Sequence, residues 1–249
     1  PAYNEEDRIG RMLDAYLPYF SGLYGAEVEF IVSINGSTDK TEEVVKSRSA
    51  GYPSLHHIVD NKPIGKGAAL IRAFQKTQGE MIGFVDADGS TPPEAFEDLI
   101  KNMGDNDVII ASRWHRDSKV EPRQPLSRRI ASRVLNILTR LIFGLRLTDT
   151  QCGAKLMKKE PLMKILPSLG TTQWAFDVDL LFLFRRNGYR IAEIPTTWHD
   201  VAGSKLKIAR ASIDMLAALT RLRLIYSPFK WVVKFYNPKF TPFLSRHDT

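Results

Sequence analysis

Between Met81 and Glu94 the chain runs MIGFVDADGSTPPE, and few folds accommodate that order. Met81–Val85 is an apolar run containing Ile and Val, the pattern of a buried parallel strand. Two carboxylates follow, Asp86 and Asp88, and Gly89 permits an abrupt turn. Thr91 suits an N-cap, Pro92 the first helical position, and Glu94 completes a capping box. The expected unit is strand, acidic turn, helix. In an open α/β sheet such a turn sits at the carboxyl end of a strand, where the ligand crevice opens. Two carboxylates with hydroxyls beside them are hard oxygen ligands, suited to Mg2+ or Mn2+ holding a diphosphate. A bare Asp-x-Asp is as much at home in a solvated turn; the strand before this one and the helix after it set it apart.

The same unit recurs along the first half. A helix with Ile9, Met12, Leu13, Tyr16 and Leu17 on one face precedes a strand over 27–34. That strand ends in the turn-rich Asn35-Gly36-Ser37-Thr38-Asp39, and a short helix starts at Thr41. A strand over 55–59 leads through Asn61–Gly67 to a helix over 68–77, and another strand spans 107–112. Lys66 among small residues at a helix N-terminus suits an anion, because free N–H groups and the helix dipole point there. Its spacing is not that of a Walker A loop. Strands alternating with helices predict a doubly wound, mostly parallel α/β sheet. The opening Pro1-Ala2-Tyr3-Asn4 is turn-rich with no strand ahead of it, so the domain's first strand is expected to be missing from this sequence.

After Arg113 the character changes. Residues 114–125 are polar with two prolines and predict a loop. Residues 126–143 form an amphipathic helix with Ile130, Val134, Ile137, Leu138 and Leu141 on one face. Arg128 and Ser132 lie four apart, close enough to share one phosphate. Arg129, Arg133 and Arg140 fit a solvated face. A short strand is expected over 155–157, a helix buried nearly all round from Trp174 to about Asn187, and a strand over 189–195. Asp177 and Asp179 near that helix's start complement its dipole or serve a site. Residues 207–226 predict a further helix.

Charge divides with the chain. Residues 1–110 carry 10 Lys and Arg against 18 Asp and Glu, a net of −8; residues 111–249 carry 25 against 10, a net of +15. A basic half suits phosphorylated substrates, an anionic membrane surface or nucleic acid. Nucleic acid is set aside, because several of these cations sit on helix faces beside apolar stripes rather than along one groove with exposed aromatics. Lysines interleaved with aromatics near the C-terminus favour a membrane interface. The single cysteine, Cys152, excludes a disulfide framework and fits a reducing compartment. No run is long and apolar enough to span a bilayer.

Taken together, PAYNEE, NGSTD, GKGAAL, VDADGSTPPE and ASR resemble the nucleotide-sugar domain of family 2 glycosyltransferases, which have the GT-A fold. The later runs DTQCGAKL, QWAFDVDLL, EIPTTW and GSKL resemble those of dolichyl-phosphate β-glucosyltransferases and their polyprenyl-phosphate relatives. The resemblance spans nearly all of residues 1–210 and implies roles position by position. Pro1, Ala2, Tyr3 and Glu5 match the motif that cradles the nucleotide. Asp39 and Lys66 match positions near it, and Asn35 stands where an acidic pair is usual, able to hydrogen-bond a base without charge. Asp86, with Ala87 beside it, and Asp88 match the metal-binding motif. Ser90 stands where related mannose synthases have a Gln ligand. Arg113, Arg128 and Ser132 match an acceptor-phosphate site, and Lys205 is a candidate for the diphosphate.

The implied enzyme is an inverting, metal-dependent hexosyltransferase. It moves a sugar, glucose from UDP-glucose in the first instance, onto dolichyl or polyprenyl phosphate. Asp88, Arg113 and Arg128 carry the chemistry, and Mg2+ or Mn2+ is the cofactor. Residues 1–205 would form the GT-A domain and 206–249 a basic amphipathic region lying on a membrane, with the enzyme at its cytoplasmic face. The alternatives are a GDP-mannose-dependent synthase, a transferase with a hydroxyl acceptor using Asp149 or Asp177 as base, and a non-catalytic sugar-nucleotide scaffold.

Overall fold

The computed structural model describes residues 1–122, 126–170, 175–200 and 208–231; the side chains of Ser127, Arg128 and residues 208–212 lie outside that description, as does Lys205. Helix α1 (Ile9–Tyr24) buries Ile9, Leu13, Tyr16 and Leu17, the expected face. Strand β1 (Phe30–Asn35) starts later than expected, because a short 3-10 turn occupies 25–27. Helix α2 (Thr41–Ser49) and strand β2 (Leu55–Asp60) follow, and β1 and β2 pair in parallel. Helix α3 (Lys66–Phe74) begins at the lysine itself.

Strand β3 (Met81–Phe84) departs from expectation. Its residues alternate between exposed and buried, and it pairs antiparallel with β6 (Lys155–Lys158). β6 lies between β3 and β4 (Val108–Ser112), antiparallel to both, and β4 pairs in parallel with β7 (Ile191–Pro195), giving the order β3-β6-β4-β7. Both β3 and β4 therefore run the same way, and the inserted strand comes from 70 residues downstream. Helix α4 (Pro93–Lys101) starts one residue later than the capping-box reading, with Pro93 in its first turn and no side-chain cap. Thr91 is instead buried, and its carbonyl accepts the Tyr16 O–H at 2.9 Å. The expected loop over 114–125 contains a strand, β5 (Lys119–Glu121), which pairs in parallel with β8 (Thr197–His199).

Helix α5 (Leu126–Phe143) and α8 (Ile208–Ile225) pack together, and α7 (Phe176–Arg186) is buried nearly all round, as expected. The main core joins Phe84, Val108, Ile110 and Met157 of the sheet to Phe176, Leu180, Leu181 and Phe184 of α7 and to Met215, Leu219 and Leu222 of α8. A short helix, α6 (Lys159–Ile165), follows β6 and was not foreseen. The apolar face of α5 turns outward: Ile130, Val134, Ile137 and Leu141 are 51–76% exposed.

The Ala2 N–H donates to Ser33 and its carbonyl accepts from Asn35, both at 2.8 Å, a single parallel bridge on the free edge of β1. Glu29 just before β1 accepts the Gln78 and Gly79 N–H groups just before β3, so the two strands start side by side. An apolar cavity of about 730 Å3 lies between them.

Candidate active site

The ends of β1 and β3 and the start of α3 converge on a cleft of about 220 Å3. It is lined by Pro1, Ala2, Tyr3, Glu5, Asn35, Lys66, Asp86, Ala87 and Asp88. Eight of these nine were expected at the donor site, and Asp88 as a metal ligand. Asn35 closes β1, is buried, and accepts the Ile64 N–H through Oδ1 at 2.7 Å, which fixes the loop before Lys66. Glu5 pairs with Arg8 at 2.6 Å, and its N–H donates to Thr41 Oγ1. Asp39 is not in the lining. Its oxygens accept the N–H groups of Thr41 and Glu6, so it shapes the loop that starts α2.

Asp86 meets a cation already. Lys66 Nζ lies 2.9 Å from Asp86 Oδ1 and 3.5 Å from Asp177 Oδ2. Burial works against the Lys66 charge, but Asp177 and Asp86 outweigh it and raise its pKa. Burial likewise works against the Asp86 anion, and Lys66 outweighs it, so the carboxyl stays below its usual range. Asp88 Oδ1 accepts the Ser90 N–H at 2.9 Å, the bond that shapes the turn, while Gly89 takes φ of 75°. Ser90 itself stands apart from the cleft lining. It is buried, and its carbonyl accepts the His199 N–H at 2.8 Å.

Behind Asp86 runs the loop 148–155. A Cβ on Gly153 would lie 2.0 Å from Asp86 Oδ2, so only glycine lets this loop pass so close. Lys155 is fully buried and donates to Asp177 Oδ1 and to the Cys152 carbonyl, each at 2.6 Å. Cys152 is a free, buried thiol whose pKa burial pushes up to about 12, so it stays protonated and inert.

The same loop reaches the other side of the site. Asp149 accepts Arg113 Nε at 2.7 Å, Nη2 at 3.0 Å and the Arg113 N–H at 3.1 Å. Glu193 on β7 accepts the N–H groups of Thr148 and Asp149 and so holds the loop in register. The Arg113 guanidinium also stacks 4.9 Å from the Trp198 ring centroid. Burial works against the Arg113 charge, but Asp149 outweighs it and raises its pKa. One loop thus carries Asp149 against Arg113 and Gly153 against Asp86, which joins the arginine to the acidic turn. Arg133 is exposed, as expected of a solvated face, and lies 4.3 Å over the ring of Trp114, next to Arg113. Ser132 is half-buried on α5; the side chain of Arg128 lies outside the described residues.

Sequence reasoning missed Gly153, Lys155 and Glu193 and left Asp149 and Asp177 as possible bases. The available signals were the run DTQCGAKL, which holds Gly153 and Lys155, and EIPTTW, which opens on Glu193; the partners of both are distant in sequence.

The glycosyl transferase family 2 profile matches residues 1–166. The chain belongs to glycosyl transferase family 2. Among its relatives is the dolichyl-phosphate β-glucosyltransferase of Saccharomyces cerevisiae, 33% identical over 245 residues, covering 91% of this chain and 73% of that one. The Homo sapiens dolichyl-phosphate β-glucosyltransferase is 32% identical over 244 residues, covering 93% and 75%. Glucosyl-3-phosphoglycerate synthase from Mycobacterium tuberculosis has a solved structure with UDP. It superposes with a TM-score of 0.64 at 24% identity, covering 90% of this chain and 78% of that one. Another structure of that synthase, holding Mn2+, UDP-glucose and phosphoglyceric acid, gives 0.66 at 22% identity over 90% and 77%. The family 2 domain and the GT-A architecture expected from the motifs are thus in place.

Two carboxylates facing one cleft, with a lysine ammonium already seated on Asp86, fit a divalent cation. Among the described residues no third His, Cys, Asp or Glu joins them. The remaining positions would fall to diphosphate oxygens and water.

Proposed function

We propose that this enzyme transfers glucose from UDP-glucose to dolichyl or another polyprenyl phosphate, with inversion and with a divalent ion held by Asp86 and Asp88. The observation that carries the acceptor class is the state of the two candidate bases. Asp149 gives both oxygens to Arg113, and Asp177 gives one to Lys155 and the other to Lys66. A hydroxyl acceptor needs a free base, and neither carboxylate is free. A phosphate monoester is already ionised and needs positioning and cations instead.

Arg113 supplies such a cation, oriented in advance by Asp149 and Trp198. Lys66 and the N–H groups at the start of α3 face the diphosphate side. When bound, a divalent ion would neutralise charge on the leaving diphosphate. The names of the relatives support the lipid acceptor, and the neighbouring synthase, solved with Mn2+ and UDP-glucose, supports donor and ion. We extend the proposal to a membrane-associated enzyme at the cytoplasmic face, with 1–205 as the catalytic domain and 206–249 as a basic region for the lipid, of which 206–207 and 232–249 lie outside the described residues. Among the described residues no helix is long and apolar enough to cross a bilayer. The outward apolar stripe of α5, with the exposed Phe229 and Trp231 beyond α8, supports lipid contact.

A donor screen tests the reading: UDP- and GDP-sugars, a short polyprenyl phosphate, and Mg2+ or Mn2+. Transfer from UDP-glucose to the lipid phosphate is expected. Transfer from GDP-mannose alone, or only to a saccharide hydroxyl, would replace it.

A further inference from the structure

Lys155 is fully buried, and a buried ammonium persists only where its charge is matched. Asp177 matches it at 2.6 Å, and the other Asp177 oxygen lies 3.5 Å from Lys66. Lys66 in turn sits on Asp86 at 2.9 Å. Four groups therefore alternate in sign, Lys155, Asp177, Lys66 and Asp86, from the core to the cleft. Asp177 (4% exposed) and Lys155 are outside the cleft lining; Lys66 and Asp86 are in it. A buried pair that served the fold alone would have no reason to end on the acidic turn.

We propose that Asp177, itself held by Lys155, is the positioning residue for Lys66. It keeps the ammonium beside Asp86 until a divalent ion takes that carboxylate, and then retains it at the cleft for the donor diphosphate. The inference rests on the donor and ion reading above. Charge counting supports it. With Asp88 the five groups sum to −1; a divalent ion makes +1, and the two charges of a nucleoside-diphosphate sugar restore −1. Lys66 and the ion compete for Asp86, but Lys66 and the diphosphate attract. The 3.5 Å contact to Asp177 is the longer of the two, suited to a tether on a flexible stem rather than a clamp. The same occupancy leaves Asp177 without a free oxygen for proton abstraction.

Calorimetry on the full chain with Mn2+ and UDP-glucose as probes decides this. Lys66→Met is expected to bind Mn2+ about tenfold tighter without nucleotide, and UDP-glucose about tenfold weaker at saturating Mn2+, a factor ordinary for one coupled charge. Asp177→Asn alone leaves Lys155 buried without a counter-charge, so the paired variant Lys155→Met/Asp177→Asn is used. It should weaken UDP-glucose as Lys66→Met does, yet weaken Mn2+, because an untethered Lys66 pairs with Asp86 alone. The KM for lipid phosphate should stay unchanged in both. A purely structural role for Lys66 would not move the two ligands in opposite directions. A purely structural role for Asp177 would also shift the KM for lipid phosphate, which the positioning role leaves unchanged. Lys66→Met with Mn2+ affinity equal to or below wild type would overturn the inference, as would wild-type nucleotide affinity in the paired variant. Wild-type protein that binds neither probe removes the donor reading first, and this inference with it.

Discussion

Asp149 grips the Arg113 guanidinium at two points, 2.7 and 3.0 Å, and takes the Arg113 N–H as well. Asp149 is 1% exposed and the Arg113 side chain 17%. The arginine is therefore fixed before any acceptor arrives, and its orientation needs no reorganisation during transfer. Removing the carboxylate strands a buried cation. Asp149→Ala should cost about 3–5 kcal/mol of stability in denaturant unfolding. A loss under 1 kcal/mol would mean that Arg113 simply turns to solvent.

That pair also sets an acid limit. Burial opposes ionisation of Asp149, but Arg113 outweighs it and holds the carboxyl below its ordinary value near 3.8. A depressed carboxylate contributes stability above its unfolded pKa, and the contribution is lost as pH falls through the folded value. Wild-type protein should therefore lose stability as pH drops below about 4. An Asp149→Asn variant, less stable at pH 7, should show a flatter decline over the same window. Parallel curves for the two proteins would remove Asp149 from the acid response.

Part of the donor cleft was legible from local rules, while Pro1, Ala2, Tyr3, Glu5 and Asn35 were placed there by the family resemblance. Turn residues and acids at strand ends, and a lysine at a helix start, can be placed without knowing the sheet order. That is why Lys66, Asp86 and Asp88 fell in the cleft. What stayed hidden depends on contacts distant in sequence. β6 inserts antiparallel between β3 and β4, which nothing local to Lys155–Lys158 dictates, and its arrival brings Gly153 and Lys155 behind Asp86. The β5–β8 pairing joins segments about 78 residues apart, so a polar stretch with prolines looked like a loop. Arg133 is exposed as expected, but its contact with Trp114 stayed hidden because the two lie about 19 residues apart.

Asp88→Asn keeps the size of the side chain and the acceptor for the Ser90 N–H, and removes the charge. Loss of one preorganised electrostatic group costs about 10²–10³ in turnover, or about 2.7–4 kcal/mol. The expected outcome is a fall of that size in sugar transfer at saturating Mg2+ or Mn2+, with an unchanged melting temperature. Transfer at the wild-type rate would exclude Asp88 from ion binding.

The outward stripe of α5 makes a prediction about lipid rather than folding. Ile137 and Leu141 are 52% and 76% exposed, and Arg133 and Arg140 lie on the same helix. Surface substitutions away from special features stay within about 0.5 kcal/mol of wild-type stability. Burying one such side chain in a lipid interface is worth about 1.5–3 kcal/mol. Ile137→Glu/Leu141→Glu should therefore fold normally and bind anionic phospholipid vesicles at least tenfold less well in co-sedimentation. Equal sedimentation would move the lipid contact to another face.

Gly153 offers the sharpest test of the wall behind the acidic turn. An alanine Cβ there would overlap Asp86 Oδ2 and Cγ, so the carboxylate must leave its present place beside Lys66. Overpacking of this kind costs about 1–3 kcal/mol in stability. Gly83→Ala is the comparison variant, since its Cβ would strike the Phe96 ring on α4 and approach the Lys155 carbonyl at 3.0 Å, and meets neither Asp86 nor Asp88. Both variants should lose similar stability by thermal unfolding. Only Gly153→Ala should also lose Mn2+ affinity and about 10²-fold in transfer, the scale of one misplaced catalytic group. If the two variants lose activity alike, the damage is general strain. If Gly153→Ala keeps its Mn2+ affinity while Asp88→Asn loses it, then Asp88 holds the ion without help from Asp86.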